Sequence, residues 1–291
     1  MTAEFEDRSF RTADGLSLHY RVYEPAGPAR GAPVLCLHGL TRNVRDFEEL
    51  APMIAGLGRR VIVASQRGRG RSDWDPAVER YAPGVYAADM LALLDDLEVP
   101  RAVFVGTSMG GLMTLVAAAM APARLAGAVL NDVGPELNPV GLERIRGYVG
   151  AAGAFAAWRE ASDACRAVNG AAFPRETGAA FWLNFAHKLY REVEDGRIVL
   201  DYDPQIAASI APPAEDAPAA DLWPLFDALA AVPTLIIRGV LSDILMVSTV
   251  EEMRRRKPDL AVASVPDVGH APFMTEPAAW EALSAFLGRA T

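Results

Sequence analysis

The chain has 291 residues, of which 51% are hydrophobic, 22% charged and 8% aromatic, with a formal net charge of −9. This is the composition of a folded globular protein rather than a disordered one, and it supplies no basic field to hold a phosphate backbone, so nucleic acid is not an expected partner. Cys36 and Cys165 stand far apart in no CxxC spacing, which indicates neither a disulfide framework nor a zinc site.

The first residues, Met1 to Asp7, are acidic and lack an apolar run, so no signal peptide is expected. Two short strands come next. Phe5 to Thr12 precedes a turn at Ala13-Asp14-Gly15, and Leu16, Leu18, Tyr20 and Val22 then alternate with polar residues, the period of a half-buried antiparallel strand. Beyond the loop from Pro25 to Ala32 the pattern changes to continuous apolar runs: Val34–Leu37, Val61–Val63, Ala102–Val105, Ala128–Leu130, Thr234–Ile237 and, less strongly, Ala261–Val265. Strands apolar on both sides belong to a sheet covered on both faces, usually a parallel one. Helical stripes separate them, at Met90 to Leu97, Leu112 to Ala119, Val250 to Lys257 and Trp280 to Arg289. The uncharged stretch from Ala102 to Ala123 has the length of a membrane span, but Gly106-Thr107-Ser108-Met109-Gly110-Gly111 divides it into a strand and a short helix. A soluble, cytoplasmic protein without a membrane partner is expected.

One connection breaks this rhythm. About a hundred residues separate the strand ending near Val133 from the one starting at Thr234, far more than a normal crossover needs. Helix-like segments fall at 142–152, 155–167 and 177–189, a hairpin-like piece at 193–199, and a stiff Pro-rich linker at 212–218. The expected organisation is an α/β core of residues 1–134 and 226–291, with an eight-stranded, mostly parallel sheet. A mainly helical cap, residues 135–225, is inserted after the sixth strand, above the carboxyl strand ends where such sheets bind ligands.

Gly106-Thr107-Ser108-Met109-Gly110 directly follows an apolar strand and directly precedes a helix. A serine on so tight a turn is lifted above the sheet, and side chains two positions before and after it would collide, which requires glycine at both. Ser108 is therefore the expected nucleophile. Of the four histidines, His19 lies on the early strand, His187 in the cap and His38 in a separate strand-end motif; His270 follows the last strand and is the expected base. The acid that orients it must lie at the same edge. Both Asp243 and Asp132 follow strand ends and fit the chain order; the short loop after Gly239 favours Asp243, with Asp132 as the alternative. At His38-Gly39-Leu40 the glycine permits a sharp turn, so that the amide of Leu40 joins that of Met109 as an oxyanion hole. The expected substrate pocket includes His38, Trp182, His187, Tyr190 and Phe273. Ten of the 23 aromatic residues lie in the inserted stretch, which suits a small to medium, largely apolar substrate.

These motifs resemble those of the α/β-hydrolase-fold proteins, in the large group of capped, esterase-like enzymes, over nearly the whole chain. Arg67-Gly68-Arg69-Gly70-Arg71-Ser72 and Asn131-Asp132-Val133-Gly134-Pro135 are similar to the family as well. One departure concerns Ser65, where many relatives carry an aspartate two residues before the arginine, so Arg67 needs another partner. The resemblance implies a serine hydrolase acting on an ester or lactone through an acyl-enzyme, with no metal or organic cofactor; the net-acidic surface is compatible with a monomer or homodimer. Ser108 at the elbow argues against dehalogenases and epoxide hydrolases, which use aspartate there. Carbon–carbon hydrolases of ring-cleavage dienoates share the Gly-x-Ser-Met-Gly-Gly elbow but often place tryptophan after the catalytic histidine; here Ala271-Pro272-Phe273 follows. A ligand-binding sensor that keeps the triad without turnover is the alternative from another class.

Overall fold

The computed structural model describes residues 4–151, 153–211 and 221–289. The elements begin with β1 (Glu6–Arg11), β2 (Ser17–Tyr23), β3 (Val34–Leu37), α1 (Leu50–Gly56), β4 (Val61–Ala64), α2 (Pro83–Asp96), β5 (Ala102–Thr107), α3 (Met109–Met120) and β6 (Leu125–Asn131). Next come α4 (Pro139–Arg146), α5 (Trp158–Asn169), α6 (Ala179–Leu189), β7 (Tyr190–Glu192), β8 (Ile198–Leu200) and α7 (Trp223–Asp227). The chain returns to the sheet with β9 (Thr234–Gly239), α8 (Val247–Arg256), β10 (Ala261–Val265) and α9 (Pro277–Arg289). Among the described residues no helix is long and apolar enough to cross a membrane.

Eight strands form one sheet in the order β1-β2-β4-β3-β5-β6-β9-β10. β1 and β2, and β2 and β4, pair antiparallel, and every other neighbouring pair is parallel. The continuous apolar runs are the strands buried along their whole length, from Val34–Leu37 to Thr234–Gly239. Alternation along each strand sends successive side chains to opposite faces. Leu35, Leu37, Ile62, Phe104, Leu130 and Ile236 pack with α2 and α3 on one face. Val34, Cys36, Val63, Val105, Val129 and Ile237 pack with α1 and α9 on the other. β10 closes one edge and is half-exposed, which accounts for its weaker apolar signal.

Between β6 and β9 lies the insertion, with a small apolar cluster of its own built on Ala161, Cys165, Phe173, Trp182, Phe185 and Tyr190. The helix anticipated at 142–152 starts earlier, at Pro139, because Asn138 caps it through Val140 N–H and proline suits the first helical position. It ends at Arg146, ahead of Gly150 at φ +76°. The anticipated hairpin is β7–β8, paired from Tyr190–Leu200 to Glu192–Ile198. The Pro-rich linker at 212–218 lies outside the described residues.

Several ties hold the insertion to the core, among them two on opposite sides. After β8, the Asp201 carboxylate accepts from Asn43 Nδ2 (3.1 Å) and Arg45 Nη2 (2.7 Å), and Asp203 accepts from the Tyr81 hydroxyl at 2.6 Å. On the opposite side α4 packs so closely that a Cβ at Gly141 would stand 2.3 Å from the carbonyl oxygen of Asp243.

Candidate active site

Parallel strands bring their carboxyl ends to one edge, and the site is assembled there. Ser108 sits between β5 and α3 with φ +53° and ψ −114°, a strained conformation for a residue with a side chain. The flanking glycines make this turn possible. A Cβ at Gly106 would lie 2.2 Å from the Gly110 carbonyl oxygen, and one at Gly110 would lie 2.1 Å from that of Leu37.

His270 bridges two groups. Its Nε2 is 2.8 Å from Ser108 Oγ and its Nδ1 is 2.8 Å from Asp132 Oδ2. Asp132 is fully buried and takes two further hydrogen bonds, from the Gly239 amide to Oδ1 (2.9 Å) and from the Ser242 hydroxyl to Oδ2 (2.6 Å). With the Gly239 amide and the Ser242 hydroxyl both donating to this carboxylate, it is the acceptor for Nδ1–H, and Nε2 is left to accept from the serine. Asn131, beside it, donates to Thr107 Oγ1 (3.0 Å) and to the Pro272 carbonyl (2.7 Å), tying the elbow strand to the loop that carries His270.

The preference for Asp243 as the third member is thereby corrected in favour of Asp132. After β9 the chain wraps around Asp132. Ser242 points inward, and its oxygen also accepts from the amides of Ile244 and Leu245. The next residue, Asp243, points away and receives Arg144 of α4 through Nε (2.5 Å) and Nη2 (2.9 Å). It is about one third exposed, and the guanidinium, working against partial burial, leaves its pKa below the ordinary carboxylate value.

Leu40 and Met109 flank the serine in the same cavity wall. Met109 opens α3, so its amide has no acceptor within the helix. Leu40 is held from behind by Arg69, which donates to its carbonyl at 2.9 Å and is itself fully buried over the Tyr86 ring. Arg69 and Ser242 carry no individual mark in the sequence. Arg69 lies within the conspicuous arginine–glycine run, whereas no pattern surrounds Ser242. The missing partner of Arg67 is three carboxylates: Asp89 (2.8 and 2.7 Å), Asp75 (2.5 Å) and Asp14 (2.8 Å).

A cavity of about 740 Å³ opens over Ser108 and His270, roofed by the insertion and mostly apolar. Of the anticipated pocket residues, Tyr190 and Phe273 line it. The other three anticipated pocket residues do not. His38 is buried below the site, where Nδ1 bonds the Gly39 carbonyl (2.7 Å), Nε2 accepts from the Gln66 amide (3.2 Å) and burial lowers its pKa to about 3. Trp182 fills the insertion's own core and donates to the Glu176 carbonyl (2.8 Å). His187 packs tilted against Trp158, with the ring centres 3.8 Å apart. Arg42, which no motif marks, lines the cavity instead.

Residues 32–277 match the family model described as alpha/beta hydrolase fold. The chain belongs to the α/β-hydrolase family. It is 37% identical over 268 residues to a 3-hydroxybutyrate-oligomer hydrolase of Cupriavidus necator, covering 90% of each chain. It is 29% identical over 244 residues to a 2-(acetamidomethylene)succinate hydrolase of Mesorhizobium japonicum, covering 82% of each. Among solved structures, an α/β hydrolase from Novosphingobium aromaticivorans superposes with a TM-score of 0.91 at 45% identity, covering 99% of this chain and 100% of that one. The protein is thus a hydrolase of this family.

Proposed function

We propose that this hydrolase cleaves carboxylic esters of small to medium acids through an acyl-enzyme, with short oligoesters of a hydroxy acid such as 3-hydroxybutyrate as its substrates. The observation that carries the reading is the continuous Ser108–His270–Asp132 hydrogen-bond chain opening into an apolar cavity. The relative from Cupriavidus necator supports the substrate class, since ester bonds join the units of a 3-hydroxybutyrate oligomer.

In this mechanism His270 Nε2 removes the Ser108 proton as Oγ attacks the ester carbonyl carbon, and the carbonyl oxygen takes up the negative charge facing the amides of Leu40 and Met109. Asp132 stabilises the imidazolium without taking its proton. Collapse of the intermediate breaks the C–O bond, and the imidazolium protonates the departing alkoxide. Water, deprotonated by the same imidazole, then attacks the acyl-enzyme, releasing the acid and restoring the Ser108 hydroxyl.

The test is turnover of 3-hydroxybutyrate oligomers and of nitrophenyl butyrate by wild type and Ser108→Ala, with fluorophosphonate labelling alongside. Cleavage abolished in the variant, with the label on Ser108, supports the reading. Turnover unchanged in Ser108→Ala overturns it, and so does tight binding without turnover by wild type, which is the behaviour of a sensor.

A further inference from the structure

The cavity over Ser108 differs in charge from the rest of the molecule. The whole chain carries a net charge of −9. Among the described residues the charged side chains lining the cavity are Arg42, Arg146 and Asp46, two cations against one anion. Arg146 is turned to the Ile210 carbonyl (2.6 Å) and to Glu143 (3.2 Å), at the far wall of the insertion. Arg42 is placed quite differently.

The stem of Arg42 starts beside the nucleophile: a Cβ at Gly39 would lie 3.6 Å from Arg42 Cγ and 3.8 Å from Ser108 Cβ. From there the guanidinium reaches toward the insertion. Its Cζ lies 4.3 Å from the ring centre of Phe185 and 5.9 Å from that of Phe273, and both rings line the cavity. Its field is felt at Cys165 and Tyr148, two further lining residues. The side chain is only 13% exposed. Asp46, four residues on, takes Nε and Nη2, each at 2.8 Å, and among the described residues Nη1 has no partner. A guanidinium presents two donor edges. One edge is held by Asp46 and the aromatic rings support the plane, which leaves the outer edge available to a ligand in the mostly apolar cavity that Arg42 lines.

We infer that Arg42 receives a free carboxylate on the substrate, so that the preferred ester is an anionic one whose carboxylate stands a short spacer away from the carbonyl attacked by Ser108. This rests on the ester-hydrolase reading and narrows it. Asp46 serves as the positioning residue that fixes the guanidinium. The 3-hydroxybutyrate dimer, a hydroxy-acid ester with one free carboxylate, has this chemistry, and its neutral carboxamide does not.

The experiment compares cleavage of the internal ester in the dimer acid and in its terminal carboxamide, by wild type, Arg42→Met and Arg42→Lys. Wild type is expected to favour the acid by about tenfold or more in kcat/KM, mainly through KM, as for a charge-assisted hydrogen bond lost from a mostly apolar site. The ratio should approach one in Arg42→Met and be partly restored in Arg42→Lys. Equal handling of acid and carboxamide by wild type overturns the inference, as does a preference that persists in Arg42→Met. If wild type cleaves nitrophenyl butyrate without preferring the acid, the inference fails and the esterase reading stands. If no ester is cleaved at all, the esterase reading fails, and calorimetric binding of the dimer acid and carboxamide to wild type and Arg42→Met decides the carboxylate assignment separately.

Discussion

The sheet side and the insertion side of the site are built on opposite terms. On the sheet side, Ser108, Asp132, His38 and Arg67 are held by the ends of buried parallel strands and by hydrogen bonds made inside the core. On the insertion side, a small aromatic cluster carries the wall and is tied down partly by half-exposed ion pairs such as Arg144–Asp243. The two candidate aspartates divide in the same way: Asp132 is held within the sheet side, and Asp243, on the loop after β9, meets the insertion. Asp132 is fully buried with three donors, whereas Asp243 is a third exposed and pairs with the insertion. The lesson is that an acid one residue past a strand end is placed by the sheet, while one several residues on is available to whatever packs over it.

The largest expected effect breaks or confirms that division directly. Asp132→Asn should lower kcat by about a thousandfold or more, because the imidazole loses both its tautomer control and its counter-charge, while Asp243→Asn should lower it less than about tenfold. Steady-state kinetics with nitrophenyl butyrate on both variants checks this; the reverse order of effects would return the acid to Asp243.

Next comes stability of the sheet side. Arg67 is 2% exposed and neutralises three carboxylates, two of them buried. Arg67→Met should destabilise the fold by about 3–5 kcal/mol, since it leaves buried charges uncompensated. Urea unfolding measures it, and a loss below about 1 kcal/mol would show that the cluster contributes little.

A third prediction concerns pH. His38 has a folded pKa of about 3, well below the ordinary value of 6.5, because burial disfavours its cation. Between those values the unfolded chain binds the extra proton, so this contribution to stability is complete above about pH 6.5 and drains away as the pH falls toward 3. The slope of unfolding free energy between pH 7 and 5 should be shallower in His38→Asn than in wild type; identical slopes contradict the assignment.

The smallest effect belongs to the insertion. Arg144 and Asp243 are 32% and 34% exposed, so Arg144→Ala should cost about 0.5–1 kcal/mol, the range of a solvent-screened pair. A melting temperature lowered by more than several degrees would mean that the insertion depends on this tie far more than its exposure suggests.

Most of the sheet and the nucleophilic turn were legible because they are local. Val34–Leu37 and Thr234–Ile237 announce buried strands by being apolar at every position, and Gly106 and Gly110 announce the elbow because backbone stands where a Cβ would go. The pocket was less legible. Trp182 and His187 are aromatic residues of the inserted stretch like Tyr190, and only packing turns the first into the insertion's own core and sets the second against Trp158. Arg42 carried no signal beyond being an arginine in a loop.

By itself the amino-acid sequence determined the α/β architecture, the position of the long insertion, and Ser108 and His270 as the pair to examine, because each depends on local periodicity, turn sterics or chain order. Tertiary structure decided between Asp132 and Asp243, supplied Arg67 with its carboxylates and brought Arg42 to the cavity. Those outcomes depend on which way side chains point once distant segments meet. The inward turn of Ser242 and the outward turn of Asp243 are set by packing of the loop after β9 against β6 and α4, a contact between segments about a hundred residues apart.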